Sequence, residues 1–187
     1  MADAVPPLLA ASGLPALTLV LGGARSGKSR EAEAAIRRHP PPWTYIATAE
    51  PLDGEMRERI DRHRSDRGAD RGDGWTTVEC PLDLPDTLAR TAPRGPVLVD
   101  CLTLWLSNLM LAGREAGAET AQLLAVLGQV PGPVVLVANE VGLGIVPDND
   151  LARAFRDEAG RMNQAVAALA DRVVFTVAGL PLIVKGG

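Results

Sequence analysis

Residues able to do chemistry cluster first at Gly22-Gly23-Ala24-Arg25-Ser26-Gly27-Lys28-Ser29, which fits the pattern G-x-x-x-x-G-K-[ST]. Glycines let such a loop curl so that backbone N–H groups turn toward phosphate oxygens. Lys28 adds a mobile positive charge for the outer phosphates, Ser29 offers a hydroxyl to Mg²⁺, and a following helix presents its positive end. A greasy run precedes the loop and an Ala/Glu-rich run follows it, which is the strand–loop–helix context the pattern requires. The loop predicts nucleotide binding. It leaves open whether the nucleotide is hydrolysed, gives up its terminal phosphate, or leaves part of itself on the protein.

A metal-bound triphosphate calls for a carboxylate at the end of a neighbouring strand. "VLVDC" places Asp100 there, and "VLVANE" places Glu140 at the end of another strand. Asp100 is therefore a candidate Mg²⁺ partner of Ser29, the alternative being an N-cap for the helix after it. Glu140 is open between ligand contact and a structural carboxylate bonded to loop amides.

A third concentration lies in "RERIDRHRSDRGADR", with Arg57, Arg59, Arg62, Arg64, Arg67 and Arg71 around His63. One reading is a solvated helix face, with Glu55, Glu58 and Asp61 as partners one turn away. A second is a positive clamp on a phosphate chain. A third makes His63 a nucleophile, since imidazole attacks well near neutral pH and neighbouring cations favour its neutral form. Of these functional readings, the residues alone favour the clamp without covalent chemistry. The other histidine, His39, stands before three prolines and reads as the end of a helix.

These residues need elements to hold them. At 187 residues and 47% hydrophobic, the chain is long enough for a real core. Its net charge of −4 advertises neither nucleic acid nor an anionic membrane as partner. Two cysteines without metal-type spacing argue against a disulfide framework and fit a reducing cytoplasm. No apolar run is long enough for a membrane-spanning helix. Strands are predicted at 16–22, 43–48, 75–80, 95–103, 132–142, 172–179 and 181–186. Helices are predicted at 28–38, 53–67, 84–90, near 103–112, 118–128 and 149–171, with a loop at 68–74. This alternation predicts an α/β fold whose mainly parallel sheet has helices on both faces. Residues 1–15 read as a frayed extension, and 16–187 as a single nucleotide-binding domain.

"LVLGGARSGKS", "YIATAE", "MRERIDRHRSDR", "VLVDCLTLWLSNL" and the long run beginning "VVLVANEVGLGIVPDNDLARAFRDEAGRMNQ" resemble, in order, the bifunctional adenosylcobinamide kinase / adenosylcobinamide-phosphate guanylyltransferases of cobalamin biosynthesis. The resemblance runs from about Leu17 to Lys185, and the last of these runs is its most specific part. It implies a RecA-like phosphate-loop fold, a homotrimer, and two reactions. In the first, ATP or GTP phosphorylates the aminopropanol hydroxyl of adenosylcobinamide. In the second, GTP gives GMP to an enzyme histidine with loss of pyrophosphate, and the GMP passes on to yield adenosylcobinamide-GDP. Carried onto this chain, the resemblance implies phosphate contacts from Gly22 to Ser29, with Lys28 catalytic. It implies nucleotide contacts at Ala47-Thr48-Ala49, guanylylation of His63, and triphosphate contacts from Arg64, Ser65, Asp66 and Arg67. Glu79 and Asp100 fall at acidic positions associated with the nucleotide or its metal. Where some members carry two adjacent histidines, this chain has Arg62-His63, so only His63 can serve. The readings from other classes are a RecA-like ATPase module within a larger assembly and a GTP-binding protein without covalent chemistry.

Overall fold

The computed structural model describes residues 14–50 and 74–187. The helix predicted at 53–67 and residues 68–73 of the loop predicted at 68–74, with His63 and the arginines around it, lie outside the described residues.

Seven strands form one sheet in the order β3-β2-β4-β5-β1-β6-β7. They are β1 (Leu17–Gly22), β2 (Trp43–Ala47), β3 (Trp75–Glu79), β4 (Val97–Asp100), β5 (Val134–Asn139), β6 (Arg172–Val177) and β7 (Leu180–Lys185). All neighbouring pairs are parallel except β6 with β7. Helices α1 (Lys28–Ile36), α2 (Leu84–Thr91), α3 (Leu102–Leu111), α4 (Ala116–Leu127) and α5 (Asp150–Leu169) complete the described elements, with a 3₁₀ turn at Ala92–Arg94.

Side chains alternate across a strand, so each central strand feeds two cores. Leu19, Val99 and Leu136 face one core, shared with Leu88 of α2, Trp105 and Leu106 of α3, Leu123 of α4 and Val166 of α5. Val20, Leu98 and Val137 face the other, shared with Ala32 and Ile36 of α1. The parallel sheet with helices on both faces is thus as the alternation predicts, and the central strands read as apolar runs because neither side meets water.

Several strand ends differ from the sequence prediction. The run at 95–103 pairs only over Val97–Asp100, because Cys101 turns the chain and Leu102 begins α3. The run at 132–142 stops at Asn139, where Glu140 and Gly142 form a turn. Helix α1 ends at Ile36, two residues short of the prediction, with Arg37 and Arg38 still bonding back to its last carbonyls. In β7 every residue is exposed: Leu180, Leu182, Ile183 and Val184 show apolar side chains on an edge strand.

Candidate nucleotide site

Because the first six strands in the sheet order run the same way, their carboxyl ends share one edge. Register fixes what stands there. Ala47 is level with Glu79 on one side and Asp100 on the other. Gly22 is level with Asn139 and Thr176. Strand β5 alone separates the loop-bearing strand from Asp100's strand. Open α/β sheets bind ligands at this edge.

The loop leaves β1 at Gly22, where a Cβ would come 2.7 Å from the Thr176 carbonyl oxygen, so only glycine fits. Arg25 holds a positive φ of 55° and Gly27 one of 94°, which curls the chain back before α1 starts at Lys28. No side chain caps α1. The first-turn N–H groups of a helix lack intrahelical partners, so this end suits an anion. Lys28 is 5% exposed, and its ammonium donates to the Gly23 carbonyl of its own loop at 3.0 Å. Ser29 follows on α1, partly exposed, while Ala24 and Arg25 at the loop tip are exposed. Ser26 is buried, its hydroxyl without a partner, and its carbonyl accepts from the Gly179 N–H at 2.9 Å.

Asp100 ends β4 half-buried. The N-cap of α3 is Cys101, with no side-chain cap bond, so Asp100 does not cap that helix. Burial first and the Asp100 carboxylate second raise the Cys101 thiol to about 11, while the Lys28 ammonium pulls the other way. The same buried thiol therefore feels both charges of the site. Glu140 takes the structural alternative: Oε1 accepts from the Gly142 N–H at 2.6 Å, and its own N–H donates to the Gly22 carbonyl.

Thr48 is wholly buried. Its hydroxyl accepts from the Cys101 N–H and donates to the Cys101 carbonyl, both at 2.8 Å. Its carbonyl accepts from Asn108 Nδ2 at 2.8 Å, and the same amide bonds the Pro81 carbonyl at 3.1 Å. Thr48 thus ties the end of β2 to the turn after Asp100, between the partly exposed Ala47 and Ala49. Glu79 ends β3 exposed. His63, Arg64, Ser65, Asp66 and Arg67 lie outside the described residues, so the structure sets the loop, the 47–49 segment, Asp100 and Glu79 along one edge of the sheet without them.

His39 is at the other end of α1, where the Trp43 indole N–H donates to its carbonyl at 2.9 Å. Burial and Arg38 lower its pKa. Sequence reasoning missed Asn139, whose Oδ1 is buried without a partner beside Gly22, and the contact of the β6–β7 turn with the loop. Asn139 lies within the quoted "VLVANE", where the acid drew the reading instead.

Residues 18–184 match the family model described as cobinamide kinase / cobinamide phosphate guanyltransferase. The chain is 50% identical to the "Bifunctional adenosylcobalamin biosynthesis protein CobP" of Pseudomonas aeruginosa, an alignment covering 90% of this chain and 96% of that one. It is 45% identical to the "Bifunctional adenosylcobalamin biosynthesis protein CobU" of Salmonella typhimurium and 42% identical to the protein of that name in Escherichia coli. Each of these alignments covers 90% of this chain and 99% of the relative. Among solved structures, the P4 protein from bacteriophage phi6 in complex with ADP matches at TM-score 0.46 and 18% identity, covering 89% of this chain and 52% of that one.

Proposed function

The chain belongs to the cobinamide kinase / cobinamide phosphate guanyltransferase family, and we propose that it carries out both reactions on adenosylcobinamide at the carboxyl edge described above. In the first, the aminopropanol hydroxyl oxygen attacks the terminal phosphorus of ATP or GTP. The bond to the leaving nucleoside diphosphate (ADP or GDP) breaks, the hydroxyl proton is lost to solvent, and adenosylcobinamide phosphate forms. In the second, a ring nitrogen of His63 attacks the α-phosphorus of GTP and pyrophosphate leaves. A phosphate oxygen of adenosylcobinamide phosphate then attacks the same phosphorus and the P–N bond breaks. Adenosylcobinamide-GDP is released and the histidine is restored.

The observation that carries this reading is the position of the Gly22–Ser29 loop, opening α1 one strand away from Asp100. Lys28 takes the outer phosphates, with the loop N–H groups and the start of α1 around them. Ala47, Thr48 and Ala49 border the nucleotide, with Thr48 holding the segment in place. Arg64, Ser65, Asp66 and Arg67 complete the triphosphate contacts, and Glu79 stands level with Ala47 at the same edge. Moving a phosphoryl group relies mainly on positioning and charge, which a preorganised loop supplies.

Mg²⁺ fits the residues present. Among the described residues no cluster of three or more His, Cys, Asp or Glu forms a metal cage. Ser29 and Asp100 offer oxygen donors, and Mg²⁺ is ordinarily held by one or two carboxylates together with substrate phosphates. Such an ion supplies charge neutralisation at the phosphate oxygens.

Residues 16–187 act in this reading as one nucleotide-binding unit, with 1–15 an extension. Among the described residues no helix is long and apolar enough to cross a membrane. Two buried free thiols support action in the cytoplasm. The apolar edge strand β7 supports assembly of copies, which the family resemblance implies is a homotrimer, since such an edge invites covering.

Intact mass after exposure to GTP tests the proposal. The expected result is a covalent GMP adduct that pyrophosphate removes. A protein that binds GTP and never gains the mass of GMP contradicts the transferase half.

A further inference from the structure

The sheet carries a contact that the reactions above do not use. The turn between β6 and β7 lies against the phosphate loop through two bonds: the Gly179 N–H donates to the Ser26 carbonyl at 2.9 Å, and the Arg30 guanidinium donates to the Gly179 carbonyl at 3.1 Å. Ser26 belongs to the loop, Arg30 to the first turn of α1, and Gly179 to a distant part of the chain. Glycine is required on both sides. Gly27 and Gly179 hold φ of 94° and 80°, a Cβ on Gly27 would lie 3.2 Å from Gly179 Cα, and a Cβ on Gly179 would lie 3.2 Å from the Arg30 guanidinium.

We infer that Arg30 is a positioning residue for the nucleotide site, acting through Gly179 to fix the peptide between Ser26 and Gly27. In a trans peptide the C=O and N–H point to opposite sides of one plane. Holding the Ser26 carbonyl against Gly179 therefore turns the Gly27 N–H the other way, toward the hollow of the loop where phosphate oxygens are received. The Ser26 hydroxyl is buried without a partner, so it does not share this task. Arg30 holds the clasp shut from the opposite side of Gly179. A preorganised donor costs less to use than one that must be oriented when the ligand arrives. The inference rests on the nucleotide reading of the loop.

The test measures equilibrium binding of GTP and thermal midpoint in the full chain, for Arg30→Ala, Arg30→Lys, Gly179→Ala and the Arg30→Ala/Gly179→Ala double variant, with Lys28→Ala alongside. An exposed bond of ordinary net strength predicts a rise of about five- to tenfold in the GTP Kd of Arg30→Ala. Arg30→Lys should recover part of the loss, because an ammonium can still reach a carbonyl with one donor. Gly179→Ala breaks the clasp from the other side and should raise Kd comparably, and the double variant should be no worse than the worse single, as for two members of one unit. The acceptor KM should stay at the wild-type value. A wild-type GTP Kd in Arg30→Ala overturns the inference, whatever happens to the thermal midpoint. So do additive losses in the double variant, which would mean that Arg30 meets the nucleotide itself. Undiminished GTP binding in Lys28→Ala would instead overturn the nucleotide reading beneath it.

Discussion

The Thr48 hydroxyl is bonded twice to one residue, accepting the Cys101 N–H and donating to the Cys101 carbonyl, each at 2.8 Å in a fully buried setting. This pair of bonds joins the end of β2 to the turn that follows Asp100, so the geometry of the acidic side of the site depends on a side chain that faces the core.

Thr48→Val keeps the shape and removes both bonds. Leaving buried backbone groups unpaired predicts a stability loss of about 2 kcal/mol, and Thr48→Ser should lose much less. Chemical denaturation of the three proteins measures this. Equal stabilities would show that the hydroxyl is not the tie.

Cys101 predicts a pH dependence. Its thiol is raised from an ordinary 9.0 to about 11, by burial first and by Asp100 second. The unfolded chain ionises this thiol earlier than the folded one. The stability it lends is therefore complete below about pH 9 and is lost as pH rises from there toward 11. Cys101→Ala should flatten that decline. Cys80 is also buried and raised, so neither thiol should react with a thiol reagent at pH 7 until the protein unfolds.

Lys28→Ala should abolish or nearly abolish both activities, since one phosphate loop serves both in the proposed scheme. Removing a preorganised charge at the outer phosphates predicts a loss of about 3 kcal/mol or more in transition-state stabilisation. Steady-state assay of each half-reaction checks it, and wild-type turnover in either half would remove Lys28 from that half.

Asp100→Asn should shift the magnesium titration of activity to higher concentration while leaving metal-free nucleotide binding nearly unchanged. Cys101, not Asp100, caps α3, so little stability is at stake. An unchanged titration would take Asp100 out of the metal's surroundings.

What the sequence made legible is local. The phosphate loop reads from eight consecutive residues, and β1, β4 and β5 read from apolar runs, because their chemistry is set by near neighbours. The ends of those runs misled. "VLVDCLT" stays apolar past Asp100 because α3 is buried on nearly all sides against the sheet and the other helices, so hydrophobicity does not mark where strand becomes helix. "PLIVKG" reads as a strand, but its apolar content does not tell that β7 sits exposed at the edge, a matter of sheet order that composition does not encode. Gly179 bonding Ser26, and Thr48 bonding Cys101, join residues far apart in sequence, and nothing in either short stretch announces its partner. Glu140 reads equally as a ligand and as a structural carboxylate bonded to loop amides; in the structure its Oε1 accepts the Gly142 N–H, a local bond that its position at a strand end does not foretell.

The most direct measurement is peptide mapping of the protein after reaction with labelled GTP, run beside His63→Ala. His39 stands at the opposite end of α1 from the loop, its backbone bonded at the helix terminus. The account predicts an acid-labile, base-stable GMP on His63 alone. It also predicts that His63→Ala forms neither the adduct nor adenosylcobinamide-GDP while still phosphorylating adenosylcobinamide. A label on any other residue, or full transferase activity in His63→Ala, would contradict it.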